Sequence, residues 1–487
     1  MKTAVLFAPV ALALALLCNP LTAAAQENPW PERAAADLRS IRDRLAADHP
    51  GPVLDPDFAE RLEVGLTTAT AQSAAIDDVA GYIYLLMSYV NGLPDNHLAI
   101  WGARDNPQWA QVPRDPTAYP GFITAWRDGA FVVRDAIGAD PIRNGMRLVS
   151  CDGAPIADLA ESNLFTSLGK ADQPADWARF GPLLLIDQGV TGFRRPDACT
   201  FIDGEDTVDA PLHWREVAMQ AIGRSIGEAG FGAPPALGAR LLADGGLWVS
   251  LPSFLSDAVP APVGDQVRAA LQQAQGAPYL VFDLRANSGG NSILADSFAA
   301  AAFGEPWVAA QRTADNMTMS AVYLRASDGN RAFFVAAGDA SSGGTRTYFD
   351  ALVGAIDTAI AAGDPLASLG GGQGGPVPDV PDPAFGGQVF VLTDGNAFSS
   401  TLLFIDLVLR HPNARHVGWP TRAHGLYGEL RQERLPSGWA WLAFSTKAFT
   451  ARTGSGNGLI PEVAWTGEID DTPALEAWIQ DLVASGR

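Results

Sequence analysis

Two stretches of this 487-residue chain repeat one order of patterns: an apolar run, a polar turn and a second apolar segment with helical spacing. The first is YLVFDLRANSGGNSILADSF (279–298) and the second is QVFVLTDGNAFSSTLLFIDLV (388–408). An uninterrupted apolar run beside a helix is typical of a parallel strand that is buried on both faces. The two units therefore predict an α/β core whose strands end at one edge of a sheet, where such folds bind their ligands.

The turn of the second unit contains two serines, and two roles are open for them. Ser399 or Ser400 could cap the following helix by accepting a backbone N–H. Alternatively, a serine at this edge could act as a nucleophile beside helix N–H groups that stabilise an oxyanion. In the first unit, Gly289 and Gly290 form either a tight turn or a set of unobstructed amides that approach a ligand. A serine on one strand and bare amides on its neighbour would suit acyl transfer.

The texture of the chain changes twice between its ends. Residues 26–112 have apolar residues at three- and four-residue spacing, which predicts a helical N-terminal domain. Residues 113–217 contain short β-like runs separated by Gly, Pro and Asp, which predicts a β-rich domain. Residues 218–487 alternate strand-like and helical segments and form the predicted α/β catalytic domain. Within that domain, the Gly- and Pro-rich segment 370–387 is predicted to be a loop.

The first 25 residues have the pattern of a signal peptide. Lys2 precedes an apolar run, and Ala23 to Ala25 form a small-residue cleavage site. Cys18 raises the alternative of a lipoprotein, but Leu17 stands where a small residue should precede a lipidated cysteine. We therefore expect cleavage after Ala25 and a periplasmic or secreted protein.

Charge and composition exclude several classes of partner. With 33 Lys and Arg against 54 Asp and Glu, the formal charge is −21. Nucleic acids and anionic lipids bind clustered cations, so neither is an expected partner. No segment after the leader approaches the about 20 apolar residues of a membrane span. Nothing in the sequence indicates an oligomeric state.

The two remaining cysteines, Cys151 and Cys199, have two open interpretations. An exported protein can join such a pair as a disulfide, and two separate buried thiols are the alternative. Two cysteines without a histidine cluster do not predict a metal site. We expect no metal and no other cofactor.

Six segments, taken in chain order, resemble motifs of the C-terminal processing and tricorn-type serine peptidases. LVFDLRANSGG is similar to their D-L-R-x-N-x-G-G signature, and VLTDGNAFSSTLLF resembles their nucleophile strand and turn. GMRLVSCDGAPIADL resembles the carboxylate-binding PDZ module that many members carry. The other three segments are LPDNHLAI, which resembles a D-x-H motif, HVGWPTRAHGLYGE and GNGLIPEV. Together they cover most of residues 35–465.

The resemblance implies a multidomain α/β protein with a crotonase/ClpP-like catalytic core, a helical N-terminal domain and a β-rich PDZ-like domain. It implies that Ser399 is the nucleophile and that Ser400 donates a backbone N–H to the oxyanion. Gly289 or Gly290 would supply the second donor. The implied substrate is a peptide or protein, and the implied function is that of an exported serine endopeptidase.

The resemblance leaves the general base open. Processing peptidases use a lysine downstream of the serine, where this chain has His424, whereas tricorn-type members use the histidine of the D-x-H motif, here His97. A structural role for His97, in a turn that anchors the helical domain, is a further alternative. The family's acid would fall near Ser455 and Gly456, and its glutamate after the nucleophile turn is replaced by Leu402. These departures leave open the alternative of an inactive homologue that binds a peptide or a small apolar ligand. A third alternative is an esterase that uses the same serine.

Overall fold

The computed structural model describes residues 28–111, 117–189, 192–318, 321–370, 379–423, 425–449 and 458–486. The predicted signal peptide lies outside these residues, as do His424 and residues 371–378 of the predicted loop. In the described part of the chain, no helix is both long and apolar enough to cross a membrane.

Helices come first in the chain, and two of the four begin at an aspartate cap. The side chain of Asp55 accepts the N–H of Asp57, and that of Asp78 accepts the N–H of Gly81, so each satisfies a free donor of a helix start. The four helices are α1 (Trp30–Asp48), α2 (Gly51–Leu54), α3 (Pro56–Ser73) and α4 (Val79–Asn91).

A β-rich region follows. Its elements are β1 (Ala99–Gly102), β2 (Thr117–Tyr119), β3 (Ile123–Arg127), β4 (Ala130–Arg134), β5 (Arg147–Cys151), β6 (Ala154–Pro155), α5 (Ile156–Ala160), α6 (Pro174–Phe180), β7 (Ala198–Asp203), β8 (Asp206–Pro211), β9 (Arg215–Val217) and α7 (Met219–Gly230). The main sheet has the antiparallel order β3-β4-β5-β7-β8, with β6 beside β5, and β2 pairs with β9 in a separate sheet. Cys151 and Cys199 are opposite each other on β5 and β7 and form a disulfide.

The C-terminal half alternates strands and helices. Its elements are β10 (Gly238–Leu241), β11 (Leu247–Ser250), α8 (Ala261–Gln273), β12 (Tyr279–Asp283), α9 (Ser292–Phe303), α10 (Glu305–Thr318), β13 (Val322–Arg325), α11 (Asp328–Asp339), α12 (Gly343–Ala362), β14 (Leu366–Ser368), β15 (Gln388–Thr393), α13 (Ser400–Val408), β16 (Ala414–Gly418), β17 (Tyr427–Arg434), β18 (Ala440–Phe449), β19 (Val463–Ala464) and α14 (Thr472–Ser485). Six of these strands form a sheet in the order β10-β11-β12-β15-β16-β19.

The predicted central strands are the middle of this six-stranded sheet. β12 and β15 are neighbours and parallel, and every residue of β12 is buried. From β11 to β19 each neighbouring pair is parallel, while β10 is antiparallel to β11. The turns that follow β11, β12 and β15 therefore lie side by side at one edge.

A second sheet joins the two ends of the chain. In it, β18 pairs along one side with β1 and β13 and along the other with β17, and β14 extends it beyond β13. The N-terminal helices bury their apolar faces against this sheet, in one core that contains Leu38, Phe58, Leu86, Leu442 and Phe444. The helical region is therefore held by strands more than 300 residues away in sequence.

The general prediction of a multidomain α/β protein is confirmed. The crotonase/ClpP-like description of the core and the PDZ-like description of the β-rich region stay predictions. The domain boundaries after residues 25, 112 and 217 also stay predictions.

Candidate active site

Ser399 occupies the turn between β15 and α13 in an unusual backbone conformation. Its φ is 57° and its ψ is −125°, a combination that L residues rarely adopt and that costs about 1–3 kcal/mol. Although Ser399 is the residue just before α13, its side chain makes no capping hydrogen bond to that helix. The hydroxyl is therefore not used as a helix cap.

The hydroxyl of Ser399 instead faces a histidine from the other end of the chain. Oγ of Ser399 lies 3.2 Å from Nε2 of His97, across a sequence separation of 302 residues. His97 lies between α4 and β1, and the pairing of β1 with β18 carries it to the sheet edge. Its ring packs on Phe398, with 4.4 Å between ring centroids. The structure brings these two predicted residues together, whereas His424 lies outside the described residues.

Asp95 lies behind His97, on the side away from Ser399. Its Oδ1 accepts the backbone N–H of His97 at 2.9 Å and is 3.7 Å from Nδ1 of the ring. Its Oδ2 is 3.1 Å from Nε2 of His49. Burial alone would raise the pKa of Asp95, but the hydrogen bonds and charges of His49 and His97 hold that pKa well below its usual range. An ionised carboxylate therefore stands where it can orient His97.

The turn after β12 presents backbone to Ser399. A Cβ added at Gly289 would lie only 2.8 Å from Cβ of Ser399, so glycine is required for this close approach. The N–H of Gly289 donates to Oδ1 of Asn287 at 2.9 Å, and its carbonyl accepts the N–H of Phe254 at 3.0 Å. The N–H of Gly289 is thus already engaged.

Gly290 presents its amide to the other side. Phe254, which follows β11, is bonded to the carbonyl of Gly289 and to the N–H of Asn291, as in a parallel bridge. In such a bridge the amide of the intervening residue points away from the partner. Since β11 and β15 flank β12 on opposite sides, the N–H of Gly290 is directed towards the side of Ser399.

Ser400 is the first residue of α13, so its N–H has no acceptor within the helix. The nitrogen of Ser400 would lie 3.2 Å from a Cβ at Gly289, which places it beside the glycine turn. The Ser400 hydroxyl is buried and has no hydrogen-bond partner among the described residues. The Ser400 amide and the glycine turn that contains Gly290 thus lie side by side next to Ser399.

Asn287 ties these turns together. It is fully buried, and its Nδ2 donates to the carbonyl of Leu251 at 2.7 Å. Its Oδ1 accepts both the N–H of Gly289 and, at 2.6 Å, the hydroxyl of Thr401 in α13. One amide side chain therefore fixes the turns after three neighbouring strands relative to one another.

Arg422 joins two turns. One is the turn between β15 and α13 that contains Ser399, called the nucleophile turn below, and the other is the turn between α4 and β1 that contains His97, called the His97 turn. Its guanidinium lies 3.6 Å from the ring centroid of Phe398, and one of its nitrogens donates to the carbonyl of Asn96 at 3.1 Å. Burial, together with the charge of Arg179, lowers the pKa of Arg422 to about 9. This contact holds together the residues that directly precede Ser399 and His97.

Leu402 is fully buried in the apolar core, so it offers no orienting group. Residues 450–457, where the family's acid would fall, contain no Asp or Glu and lie outside the described residues. Asp95 is a carboxylate next to His97 that the sequence patterns did not single out. The D-x-H spacing itself was the signal, because an Asp two residues before a His can accept its backbone N–H.

Two clefts open beside the site. One has a volume of about 510 Å³ and is lined in part by Asn96, Lys170, Gln173 and Gly425. A Cβ at Gly425 would lie 3.6 Å from Nδ1 of His97, so this cleft adjoins the histidine. The other, of about 180 Å³, follows the ends of β15, β16 and β19 and is lined in part by Trp126, Gly395, Trp419 and Trp465. Within the described ranges no group of three or more His, Cys, Asp or Glu side chains is arranged as metal ligands.

Comparison with known proteins agrees with this geometry. Residues 247–463 match the model of peptidase family S41. No curated protein sequence matches the chain. The crystal structure of mature CPAF is 14% identical with a TM-score of 0.60, and the match covers 93% of this chain and 96% of that one. The structure of mature CPAF complexed with lactacystin is 14% identical with a TM-score of 0.58, covering 93% and 99%.

At 14% identity these two structures show a shared fold and no more. The family match carries the assignment, and it spans both β12 and β15 with the turns that contain Gly290 and Ser399. Residues 247–463 of this chain therefore belong to peptidase family S41, that of the C-terminal processing and tricorn-type serine peptidases.

Proposed function

We propose that this protein is an endopeptidase that hydrolyses peptide bonds through an acyl-enzyme on Ser399, with His97 as the general base. The observation that carries the proposal is the 3.2 Å approach of His97 Nε2 to Ser399 Oγ. Two residues 302 positions apart meet at the carboxyl edge of a parallel sheet, and the hydroxyl is not used by the helix that follows it. Nucleophile and base at hydrogen-bond distance are the signature of covalent acyl transfer.

Acylation begins with proton transfer from Oγ of Ser399 to Nε2 of His97. Oγ then bonds to the substrate carbonyl carbon, and the negative charge moves to the carbonyl oxygen. The N–H groups of Ser400 and Gly290 stabilise this oxyanion, and Asp95 stabilises the imidazolium of His97. The C–N bond breaks as the histidine returns its proton to the leaving amine.

Deacylation reverses these roles with water. His97 takes a proton from the water as its oxygen bonds to the ester carbonyl, and the same two amides stabilise the second oxyanion. The Ser399–acyl bond then breaks, Oγ recovers the proton, and the carboxylic acid product leaves.

The proposed substrate is a peptide or protein, bound in the cleft next to His97 and in the Trp-lined cleft at the strand ends. The Trp-lined cleft combines apolar walls with a few polar groups, as ligand sites generally do. The cleft next to His97 is lined by apolar and by charged or polar side chains. The same proposal includes the β-rich region as a PDZ-like module that recognises a peptide carboxylate.

We also propose that the protein is exported, to the periplasm or beyond. The N-terminal pattern that predicts cleavage after Ala25 motivates this proposal. The disulfide between Cys151 and Cys199 supports it, because structural disulfides persist mainly in oxidising compartments.

Labelling with a fluorophosphonate probe tests the proposed function. The wild-type protein should be labelled on Ser399 and should cleave peptides of an unstructured protein, whereas Ser399→Ala should do neither. Folded wild-type protein that is neither labelled nor active would favour the inactive, ligand-binding homologue. Labelled protein that hydrolyses simple esters but no peptide would favour the esterase.

A further inference from the structure

His49 is a buried histidine that the proposed mechanism does not yet use. It directly follows α1 and is fully buried. Its ring stacks on Phe58 at 4.6 Å between centroids and contacts Tyr427 at 4.8 Å. A histidine fixed between two aromatic rings cannot reorient without repacking this core.

The neighbours of His49 determine where its proton lies. The backbone N–H of Gly51 donates to Nδ1 at 2.9 Å, so Nδ1 carries a lone pair. In the neutral ring the proton is then on Nε2, the atom that lies 3.1 Å from Oδ2 of Asp95. Gly51 has no room for a side chain, because a Cβ there would lie 2.8 Å from Nδ1 and 2.5 Å from the Phe58 ring. The turn is therefore built to hold one tautomer.

Asp95 divides its two oxygens between two histidines. Oδ2 accepts from His49, while Oδ1 accepts the backbone N–H of His97 and faces the ring Nδ1 of His97. We propose that His49 is a positioning residue that acts through Asp95 to hold the carboxylate ionised and aimed at His97. This inference rests on the proposed function, because it assigns His97 as the base.

The charges around Asp95 make the His49 bond matter. Besides the two histidines, Asp95 interacts with Lys170 and Arg422, and its charge reaches the phenol of Tyr427. Among these groups, the His49 ring makes the closer side-chain contact with Asp95, at 3.1 Å, whereas Nδ1 of His97 is 3.7 Å away. Without that donor a buried carboxylate is under-solvated and its pKa rises. A protonated Asp95 would no longer stabilise the imidazolium of His97.

Two substitutions separate positioning from packing. His49→Phe preserves a ring between Phe58 and Tyr427 but removes the donor to Asp95, whereas His49→Gln keeps a neutral N–H donor. We expect His49→Phe to lower kcat by about 10- to 100-fold with KM within about twofold, as when outer-shell partners of a histidine are lost. The acid limb of its pH–kcat profile should move to higher pH. His49→Gln should recover most of kcat and the wild-type acid limb.

A purely structural His49 would give another pattern. Both variants would then lose activity in proportion to their loss of folded protein, with unchanged pH profiles, and the inference would be wrong. Equal activity of His49→Phe and the wild type would also overturn it while leaving the role of Ser399 intact.

A spectroscopic readout stands apart from activity and needs no variant to fold. In ¹⁵N-histidine spectra of the wild type at pH 8, the neutral ring of His49 should show a bare Nδ1 and a protonated Nε2. An Nδ1–H tautomer would contradict the proposed positioning. If the wild type lacks Ser399-dependent activity while His49 shows the expected tautomer, the proposed function fails and the hydrogen-bond geometry stands.

Discussion

The nucleophile turn and the His97 turn are built in different ways. The nucleophile turn follows a buried central strand, and its geometry is set by neighbouring strands of one sheet. The His97 turn depends on helices packed against β18 and on Arg422, which reaches Asn96 from the far end of the chain. The first turn can be recognised from a short piece of sequence, while the second exists only when the ends of the chain are assembled.

The largest effect should come from the nucleophile turn itself. Replacing Ser399 by alanine removes the attacking oxygen and should lower kcat by about 10⁴- to 10⁶-fold, as loss of a serine nucleophile does elsewhere. Ser400→Ala is the matched control, because only its backbone N–H is assigned a role, and it should stay within about tenfold. The measurement is the rate of peptide hydrolysis by both variants, after equal melting temperatures have shown that both are folded. Retained activity in Ser399→Ala would show that the chemistry lies elsewhere.

The next largest loss of activity should come from Asp95, the carboxylate of the His97 turn. Asp95→Asn keeps an acceptor for the His97 N–H but removes the charge, and we expect a loss in kcat of about 10²- to 10⁴-fold, in line with the acid of a serine triad. Steady-state kinetics at pH 7 measure this. A loss below threefold would mean that Asp95 serves the turn and not the reaction.

Asp95 should also contribute to stability with a definite pH dependence. Its folded-state pKa lies below its unfolded value, so its contribution is present above the unfolded pKa of about 4 and is lost as the pH falls below it. Between pH 7 and pH 3, the free energy of unfolding should therefore fall more in the wild type than in Asp95→Asn. Denaturant unfolding at the two pH values is the measurement, and equal changes would contradict the assigned charge state.

Loss of the contact between the two turns should lower kcat less than loss of the Ser399 hydroxyl or of the Asp95 charge. Arg422→Met keeps the length of the side chain but loses the charge over Phe398 and the bond to Asn96. We expect kcat to fall by about 10- to 100-fold, because small displacements of reacting groups are costly. Arg224→Met, at an exposed arginine of α7, is the control and should be silent. An active Arg422→Met enzyme would show that this contact is not needed to hold His97.

The disulfide should affect stability and not the reaction. It joins β5 and β7 in the β-rich region, across 48 residues, and packs in a core distinct from that of β12 and β15. In the double variant Cys151→Ala/Cys199→Ala, the free energy of unfolding should be lower by about 2–4 kcal/mol, while kcat per folded molecule should be unchanged. Denaturant titration and active-site titration measure the two quantities. An unchanged free energy of unfolding would contradict this expectation.

The same difference explains what could be predicted from sequence. β12, β15 and the placement of Ser399 and the glycines follow from local patterns, because apolar runs, glycines and a helix start are adjacent in the chain. The sequence narrowed the general base only to one of two histidines, His97 or His424, because no local pattern fixes a contact across 302 residues. Asp95 was missed although its spacing from His97 was a signal. His49 was missed because its bond to Asp95 joins positions 46 apart through a helix packing that spacing does not reveal.

The most direct test compares the two candidate bases in one reaction. The second-order rate constant for fluorophosphonate labelling of Ser399 should be measured in the wild type, His97→Ala and His424→Ala. Labelling should become about 10³-fold slower or more in His97→Ala, because the serine loses the group that takes its proton, and should change less than about threefold in His424→Ala. Rapid labelling of His97→Ala, or its loss in His424→Ala instead, would contradict the pairing of Ser399 with His97.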